Sequence, residues 1–398
     1  MAGELGHRAT PPLLKQLNQR TVLEAVRADA PISRAEISRR AGISKPTVSL
    51  ALQSLLEAGL VRESGHRPDG PSFGAVFFEP VPDAALVLGL DLGARFARGA
   101  VCDLVGAVRV RQDIELAGPS AEAAIAAIEA VTSSLIEATD ASRERIGRVV
   151  VGVPGVVDAE GRLNLTHFRE LEGLDLGREL ERRLGLGVTL VNDINLAALG
   201  EEWQGVARGI DDFAFLSVGT GLGMGLVLGG ELHSGRHGAA GELDHALLGF
   251  GDDFDPSASA VSAYAAELAA VPGAISALTP PYEPREVFTA ARRGDPLARA
   301  VVAEVARRIA LHIAPIAAVA DVGRVVLGGG IGANGDLLLE PIRGMLATWL
   351  PYPPKLEVSS LGEAAVLSGA LAVGLRTALD EVFVNRAPAL QAEAELFP

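Results

Sequence analysis

Glycine-rich turns follow apolar, strand-like runs at three places in this chain, and they strongly limit the folds available to it. The runs cover residues 86–93, 213–223 and 323–332, and helix-like segments lie between them. Short apolar runs bounded by glycine are typical of buried strands, and their alternation with helices predicts an α/β fold. The strand–helix pattern starts twice, so we expect two lobes with a cleft between them.

Charge is divided unevenly along the 398 residues. A chain of this length is expected to hold two or three domains. Residues 1–67 carry a formal net charge of +4, whereas the remainder carries −19. A basic module can approach phosphate groups, and an acidic body repels them. The charge distribution therefore favours a small nucleic-acid-binding unit on a larger acidic body, although ordinary variation of surface charge is the simpler alternative.

Cys102 is the one cysteine of the sequence. It excludes an intrachain disulfide and a cysteine-based metal site, and it favours a reducing cytoplasm. The first twelve residues lack the apolar region of a signal peptide. The best candidate for a membrane-spanning segment, residues 309–320, is interrupted by His312 and Pro315, so we expect no membrane partner.

A short segment near the N-terminus carries the start and stop signals of a helix-turn-helix unit. Ser33, followed three residues later by Glu36, is a capping-box pattern. Gly42 then supplies a turn, Ser44 is placed to cap the next helix, and Gly59 ends it. A helix-spaced apolar pattern over residues 18–29 precedes this unit and predicts a three-helix module.

The last helix of this module, expected over residues 44–58, is the candidate DNA-reading element. Its N-terminal end would enter the major groove, and a wing built from residues 61–65 and 75–79 would follow. The candidate DNA-contacting residues are Ser44, Lys45, Thr47, Ser49 and Gln53, with Arg67 at the wing tip. A small helical bundle or a protein-binding winged helix is the alternative, and Thr47 and Ser49 could bond within their own helix.

These patterns, with Asn192–Asp193 and the segment 241–245, resemble the ROK family (repressor, open reading frame, kinase) over roughly residues 15–380. The closest likeness is to its regulator branch, of the xylose or N-acetylglucosamine repressor type, which carries an N-terminal winged helix. The resemblance implies the two-lobed α/β fold of the actin-like ATPases (ribonuclease H-like). It also implies a sugar site in the cleft and a homodimer or tetramer.

The resemblance further implies roles for individual residues. Sugar-binding positions match Asn192, Asp193, Glu242 and His245, and Asp193 stands where the kinases have their general base. Carboxylates and amides suit a sugar because they can hold two vicinal hydroxyl groups at once. The positions of the nucleotide loops match Asp91, Gly93, Gly219, Thr220, Gly221, Gly223, Gly329 and Gly330. Glycine in such loops lets backbone N–H groups approach phosphate oxygens.

The sequence departs from the kinase pattern at several of these positions. Cysteines are missing after His245, so the zinc site of the family's kinases lacks its ligands, and we expect no metal or cofactor. Ala94 and Arg95 replace glycine and threonine, which puts a guanidinium where phosphate should meet backbone. Asp244 replaces a glycine, and Ser262 falls near a position where the family has a sugar-binding glutamate. We therefore expect vestigial nucleotide loops, no catalytic residue and a sugar pocket that survives in part.

Each candidate also has a purely structural interpretation. Asp193 could cap the helix that follows it, and His245 could be a packed neutral histidine. Glu242 could be a solvated carboxylate and Asp91 a residue of the turn that ends its strand. Residues 219–223 could form only a tight hairpin.

The expected domains are a winged helix over 12–80, a first lobe over 84–195 completed by a returning helix at 361–380, a second lobe over 196–360, and a tail over 381–398. The expected function is that of a cytoplasmic regulator, acting as a repressor of carbohydrate genes, which binds operator DNA and responds to a sugar or sugar phosphate. The alternatives are an active ATP-dependent sugar kinase with a regulatory DNA-binding domain, or a DNA-binding regulator whose body only dimerises.

Overall fold

The computed structural model describes residues 11–65, 74–139, 145–158, 160–166, 168–246 and 254–385. Within helices and strands, the side chains of residues 11–13, 147, 245–246 and 380–385 are not described. The predicted wing tip with Arg67, and residues 386–398 of the predicted tail, lie outside the described residues.

A three-helix module with a small antiparallel sheet forms the N-terminal part. The strands are ordered β1-β3-β2. The elements are α1 (Pro11–Asp29), β1 (Ile32–Ser33), α2 (Arg34–Ala41), α3 (Lys45–Glu57), β2 (Val61–Glu63) and β3 (Phe77–Pro80). Apolar side chains from all three helices, among them Leu23, Ile37 and Leu52, form one buried cluster with Phe78 of the sheet. The module therefore has a hydrophobic core of its own.

The helix ends in this module follow the capping signals. Ser33 accepts a hydrogen bond from the Glu36 N–H at 3.3 Å, and Ser44 accepts one from the Thr47 N–H at 3.4 Å. Gly42, with φ +65°, adopts the left-handed conformation that its turn requires. The predicted capping box forms only in part, because the Glu36 carboxylate binds Arg39 and Arg40. Strand β1 was not predicted, since two residues are too few to show a period.

The first body sheet has five strands in the order β10-β7-β4-β5-β6. Strands β4, β7 and β10 run parallel, and β5 and β6 are antiparallel. The elements are β4 (Leu86–Leu92), β5 (Phe96–Asp103), β6 (Val108–Glu115), α4 (Ala121–Ala138), β7 (Ile146–Val153), β8 (Val156–Val157), β9 (Leu163–Asn164), α5 (Leu176–Leu184) and β10 (Gly187–Asn192). Every residue of β4 is buried, as expected for a strand covered on both faces.

The second body sheet repeats this plan in the order β13-β12-β11-β14-β15. Strands β11, β14 and β15 are parallel, and β12 and β13 are antiparallel. The elements are α6 (Asp193–Gln204), β11 (Phe213–Val218), β12 (Leu222–Leu228), β13 (Glu231–Leu232), α7 (Leu243–Ala246), α8 (Ala258–Ala269), α9 (Pro284–Arg292), α10 (Pro296–Ala320), β14 (Arg324–Gly328), α11 (Gly329–Gly332), α12 (Gly335–Trp349) and β15 (Lys355–Val358).

The last helix, α13 (Ala365–Asn385), returns to the first sheet and packs against β4, β7 and α6. Helices α6 and α13 cross where Gly200 and Gly369 face one another, and a side chain on either glycine would collide with the opposite backbone. Among the described residues, the window Gly362–Leu379 is long and apolar enough to cross a membrane by composition. More than half of that window is buried inside the protein, as befits a core helix.

The N-terminal module packs directly on the body. Ala85 and Leu104 of the body and Leu379 of α13 belong to the same buried cluster as the core of the module. The Leu104 N–H donates to the Pro82 carbonyl at 3.0 Å, which joins the connecting segment to the first sheet. Helix α13 therefore extends from the ends of the body strands to the core of the helix-turn-helix.

Candidate functional site

Polar side chains from both lobes converge at the strand ends. Asp91 lies in β4, Asn192 ends β10, Asp193 begins α6, and Glu242 precedes α7. The Asn192 amide donates to the Gly155 carbonyl at 3.0 Å and to a Glu242 oxygen at 3.5 Å. The structure thus brings Asn192, Asp193 and Glu242 together in one cleft. His245 lies in α7, but its side chain is not described by the structure, so its predicted sugar-binding role stays a prediction.

Asn192, rather than Asp193, caps helix α6. Its side-chain oxygen accepts the Asn195 N–H at 2.9 Å, while its amide faces Glu242. Asn192 is only 7% exposed, so its amide is fixed in orientation by bonds on both sides. Asp193 is the first residue of the helix, and its carboxylate accepts the Ile194 N–H at 2.8 Å. The Asp193 carboxylate is therefore held at the start of a helix, where backbone N–H groups stabilise negative charge.

Burial perturbs the two aspartates of the cleft. Burial first, and then repulsion by the Asp91 and Glu242 carboxylates, raises the pKa of Asp193 to about 7. Burial also raises the pKa of Asp91 to about 6, against the opposing effect of the Arg98 guanidinium. Carboxyl groups with pKa values raised toward neutrality are typical of functional sites.

Arg98 supplies a cation beside residues 91–95, which we call the first phosphate loop after the role that the family resemblance implies, and the sequence interpretation missed it. Its guanidinium lies 3.4 Å from Asp91 and 3.4 Å from Glu363, which immediately precedes α13. In the β4–β5 hairpin Arg98 lies directly opposite Asp91. Counting residues across the turn at Gly93 could therefore have predicted this pair from the sequence. Arg95, expected where phosphate would meet the backbone, is 74% exposed and pairs with Glu115 at 2.8 Å.

The second phosphate loop implied by the family resemblance, residues 219–223, forms the tight hairpin between β11 and β12. Its Leu222 N–H donates to the Asp244 carboxylate at 2.8 Å. A side chain at Gly221 would collide with that same carboxylate, so Asp244 closes over the loop. Gly329, with φ +76°, packs on the Val218 backbone beside it, whereas Gly330 faces open space. A carboxylate of the chain itself thus occupies a backbone N–H of this predicted nucleotide loop.

The segment that follows His245, where the family resemblance implies a zinc site in the kinases, lies largely in residues 247–253, outside the described residues. Just after it, Arg308 of α10 donates to the Asp255 carbonyl at 2.8 Å, and a His312 ring nitrogen lies 2.9 Å from the Phe254 carbonyl. Within the described ranges, no group of three or more His, Cys, Asp or Glu side chains is placed to hold a metal ion. Ser262 bonds back to the Ala258 carbonyl at 3.1 Å, inside its own helix.

Helix α3 presents a solvent-facing surface. Lys45 and Gln53 are exposed, and Thr47 and Ser49 are half-buried. The Ser44 and Thr47 hydroxyl groups lie 2.8 Å apart, and the Gln53 amide donates to Glu57 at 3.0 Å. The outer face of the predicted DNA-reading helix is therefore free of the body.

Comparison with known proteins gives relatives of two kinds. A sequence profile described as the ROK family matches residues 87–376, and one described as winged helix-turn-helix DNA-binding matches residues 16–62. The xylose repressor of Caldicellulosiruptor bescii is 26% identical over 382 residues, which cover 91% of this chain and 96% of that protein. The glucokinase of Streptomyces coelicolor is 30% identical over 311 residues, which cover 72% of this chain and 96% of that enzyme.

Solved structures similar to this chain are also of two kinds, a regulator and a kinase. A ROK family transcriptional regulator, a homologue of the E. coli MLC protein, superposes with a TM-score of 0.78 and 24% identity, over 93% of this chain and 98% of that chain. A ROK family glucokinase from Streptomyces griseus, in complex with glucose and AMPPNP, superposes with a TM-score of 0.59 and 29% identity, over 73% of this chain and 100% of that chain. The predicted two-lobed actin-like fold with an N-terminal winged helix is confirmed.

Proposed function

Because the chain belongs to the ROK family, we propose that it is a DNA-binding repressor of carbohydrate genes whose body binds a sugar and thereby controls operator binding. The observation that carries this proposal is the pairing of two features in one chain. Asn192, Asp193 and Glu242 converge in a cleft, and the outer face of α3 is free to enter a major groove. Xylose is the first sugar to test, since relatives aligned over nearly the whole chain are named xylose repressors.

The geometry of the cleft supports sugar recognition. Asn192 and Glu242 offer an amide and a carboxylate 3.5 Å apart, a spacing that suits two neighbouring hydroxyl groups of one ring. Asp193 adds an acceptor that is strongest when ionised. A sugar that bridges Asn192 of the first sheet and Glu242 beside the second would favour a closed arrangement of the lobes over an open one.

One internal charge supports the loss of phosphoryl transfer, because Asp244 places its carboxylate on the Leu222 N–H. A nucleotide phosphate entering the second loop would have to displace Asp244 and would meet its negative charge. We therefore assign no catalytic residue to this chain, place Asp193 in a sugar-binding role, and expect no cofactor.

The direct test selects DNA from a random-sequence pool with the purified protein and then titrates the selected duplex by fluorescence anisotropy. Isothermal calorimetry of the same preparation covers xylose, glucose, N-acetylglucosamine and their phosphates. We expect one enriched sequence with inverted half-sites, because the family resemblance implies a homodimer or tetramer, and saturable heat for one sugar class. Failure to enrich any sequence contradicts the DNA-binding function. Selected DNA without any sugar heat would instead favour a body that serves only for dimerisation.

An active sugar kinase is the second candidate, and one observation favours it. Burial raises the pKa of Asp193 to about 7, which suits a general base. A coupled ATP assay on xylose and hexoses decides between the two. We expect no turnover above background in the native protein, and turnover abolished by Asp193→Asn would establish the kinase.

A further inference from the structure

The outer face of helix α3 has an apolar centre. Val48, Ala51, Leu52 and Leu55 are buried and define the inner face of the helix. At 100° per residue, the line directly opposite this inner face runs through Pro46, Leu50, Gln53 and Glu57. Leu50 lies at the middle of that line and is 68% exposed.

An exposed leucine in this position is available to contact a partner of the candidate DNA-reading helix. In the sequence Leu50 lies between Ser49 and Gln53, two candidate DNA-contacting residues, and five residues beyond Lys45. The segment that carries it is basic, with a formal charge of +4 in residues 1–67 against −19 in the rest of the chain. The single acid on this outer line, Glu57, lies at the far end of the helix, away from the N-terminal end that approaches phosphates. These charges favour DNA as the partner.

We propose that Leu50 is a specificity-determining residue that packs on the C5-methyl group of a thymine in the operator. Thymine is the base that presents a methyl group in the major groove, and apolar side chains are its natural partners. The assignment rests on the proposed DNA-binding function and adds to it. Each operator half-site then contains one thymine at a fixed position, next to the base pairs that Ser49 and Gln53 reach.

The test replaces thymines of the selected operator, one at a time, by deoxyuridine, which lacks only the methyl group. For the native protein we expect one position per half-site at which the replacement weakens binding about fourfold, the factor that burial of one methyl group gives. The variant Leu50→Ala should show less than a twofold effect at that position. Because Leu50 is exposed, this variant keeps its core, and its thermal unfolding should match that of the native protein.

Leu17→Ala is the matched control. Leu17 is 48% exposed but lies on α1, so the deoxyuridine effect should persist in this variant. An equal deoxyuridine effect in native protein and Leu50→Ala would overturn the assignment. A change of oligomeric state in Leu50→Ala, with the operator preference unchanged, would also overturn it and make this face a contact between copies of the chain. If no DNA sequence is selected at all, the DNA-binding function itself fails, which is a different result from either of these.

Discussion

Asp193 belongs to the candidate sugar site, and we expect its protonation to affect sugar binding. Burial raises the pKa of Asp193 to about 7, with the Asp91 and Glu242 carboxylates adding to the effect. A raised pKa means that the folded state disfavours the charged carboxylate. The favourable contribution of the neutral acid is present below the ordinary value of 3.8 and is lost as the pH rises through about 7.

Asp193→Asn is therefore expected to raise the stability of the protein and to lower its affinity for sugar. At pH 8 the variant should be more stable to unfolding by roughly 2 kcal/mol, because it no longer buries a charge. At pH 4 the two proteins should differ little. Sugar affinity should fall at least tenfold, since the amide replaces an ionised acceptor. Urea unfolding at the two pH values and calorimetry measure both quantities, and a variant that binds sugar normally would contradict the role of Asp193.

Sugar affinity is expected to depend on pH in the same range. The ionised Asp193 carboxylate is the stronger acceptor, so binding should weaken several-fold as the pH falls from 8 to 6, through the pKa of about 7. Calorimetry across this range measures the effect. Asp193→Asn is the control, and any binding it retains should vary much less with pH. A native affinity that is flat between pH 6 and pH 8 would show that Asp193 does not titrate in contact with the sugar.

The roles of single residues were predicted well from the sequence where the role depends only on the local backbone, as at helix ends. Ser33, Gly42 and Ser44 occupy the helix ends that their side chains or backbone freedom suit. Arg98 and Asp244 could not be assigned in this way. Arg98 meets Asp91 through the register of a hairpin, and Asp244 meets Leu222 from 22 residues away. Such contacts depend on how elements pack, which a pattern of residue types does not specify.

At the scale of elements, the crossing of α6 and α13 joins the first sheet to the second. Gly200 and Gly369 let the two helices approach at backbone distance, since a Cβ on Gly200 would lie 3.0 Å from the Gly369 nitrogen and closer still to the Ala365 carbonyl. Neither glycine stood out in the sequence, because glycine inside a helix signals close packing only once the partner helix is known.

Gly200→Ala is expected to lower the free energy of unfolding by about 3 kcal/mol, because a methyl group in this crossing forces the helices apart. Gly344→Ala is the matched control. Gly344 lies in helix α12 with no neighbouring atom within 4 Å of a new Cβ, so alanine should raise stability by up to about 1 kcal/mol. Urea unfolding curves of the two variants measure the difference. Equal effects would contradict close packing at the crossing.

At the scale of the whole molecule, α13 joins the site to the DNA-binding module. Glu363, just before the helix, lies 3.4 Å from Arg98 at the first phosphate loop. Near the other end, Leu379 is buried in the same cluster as the core of the helix-turn-helix. We therefore propose that a movement of the lobes reaches the DNA-binding module through α13. Strand and helix alternation was enough to predict the two lobes. The return of the C-terminal helix to the first sheet was expected only through the family resemblance, because no local pattern encodes it.

Leu379→Ala is expected to weaken the coupling between the candidate sugar site and the DNA-binding module. Sugar affinity should change less than twofold, while the change in operator affinity caused by sugar should shrink several-fold, because the module loses its packing contact with α13. Leu371→Ala is the control, since Leu371 is equally buried in α13 but packs within the body. Both variants should lose about 2–4 kcal/mol of stability as cavities form. Equal loss of coupling in both would argue against a specific path through Leu379.

The measurement that addresses the central claim most directly is the dissociation constant of the selected operator as a function of sugar concentration, for the native protein and for Asp193→Asn. We predict that saturating sugar weakens operator binding by the native protein at least tenfold, and that Asp193→Asn needs at least ten times more sugar to reach half of its response. An operator affinity of the native protein that does not respond to any sugar it binds, or a half-maximal response of both proteins at the same sugar concentration, would contradict the account.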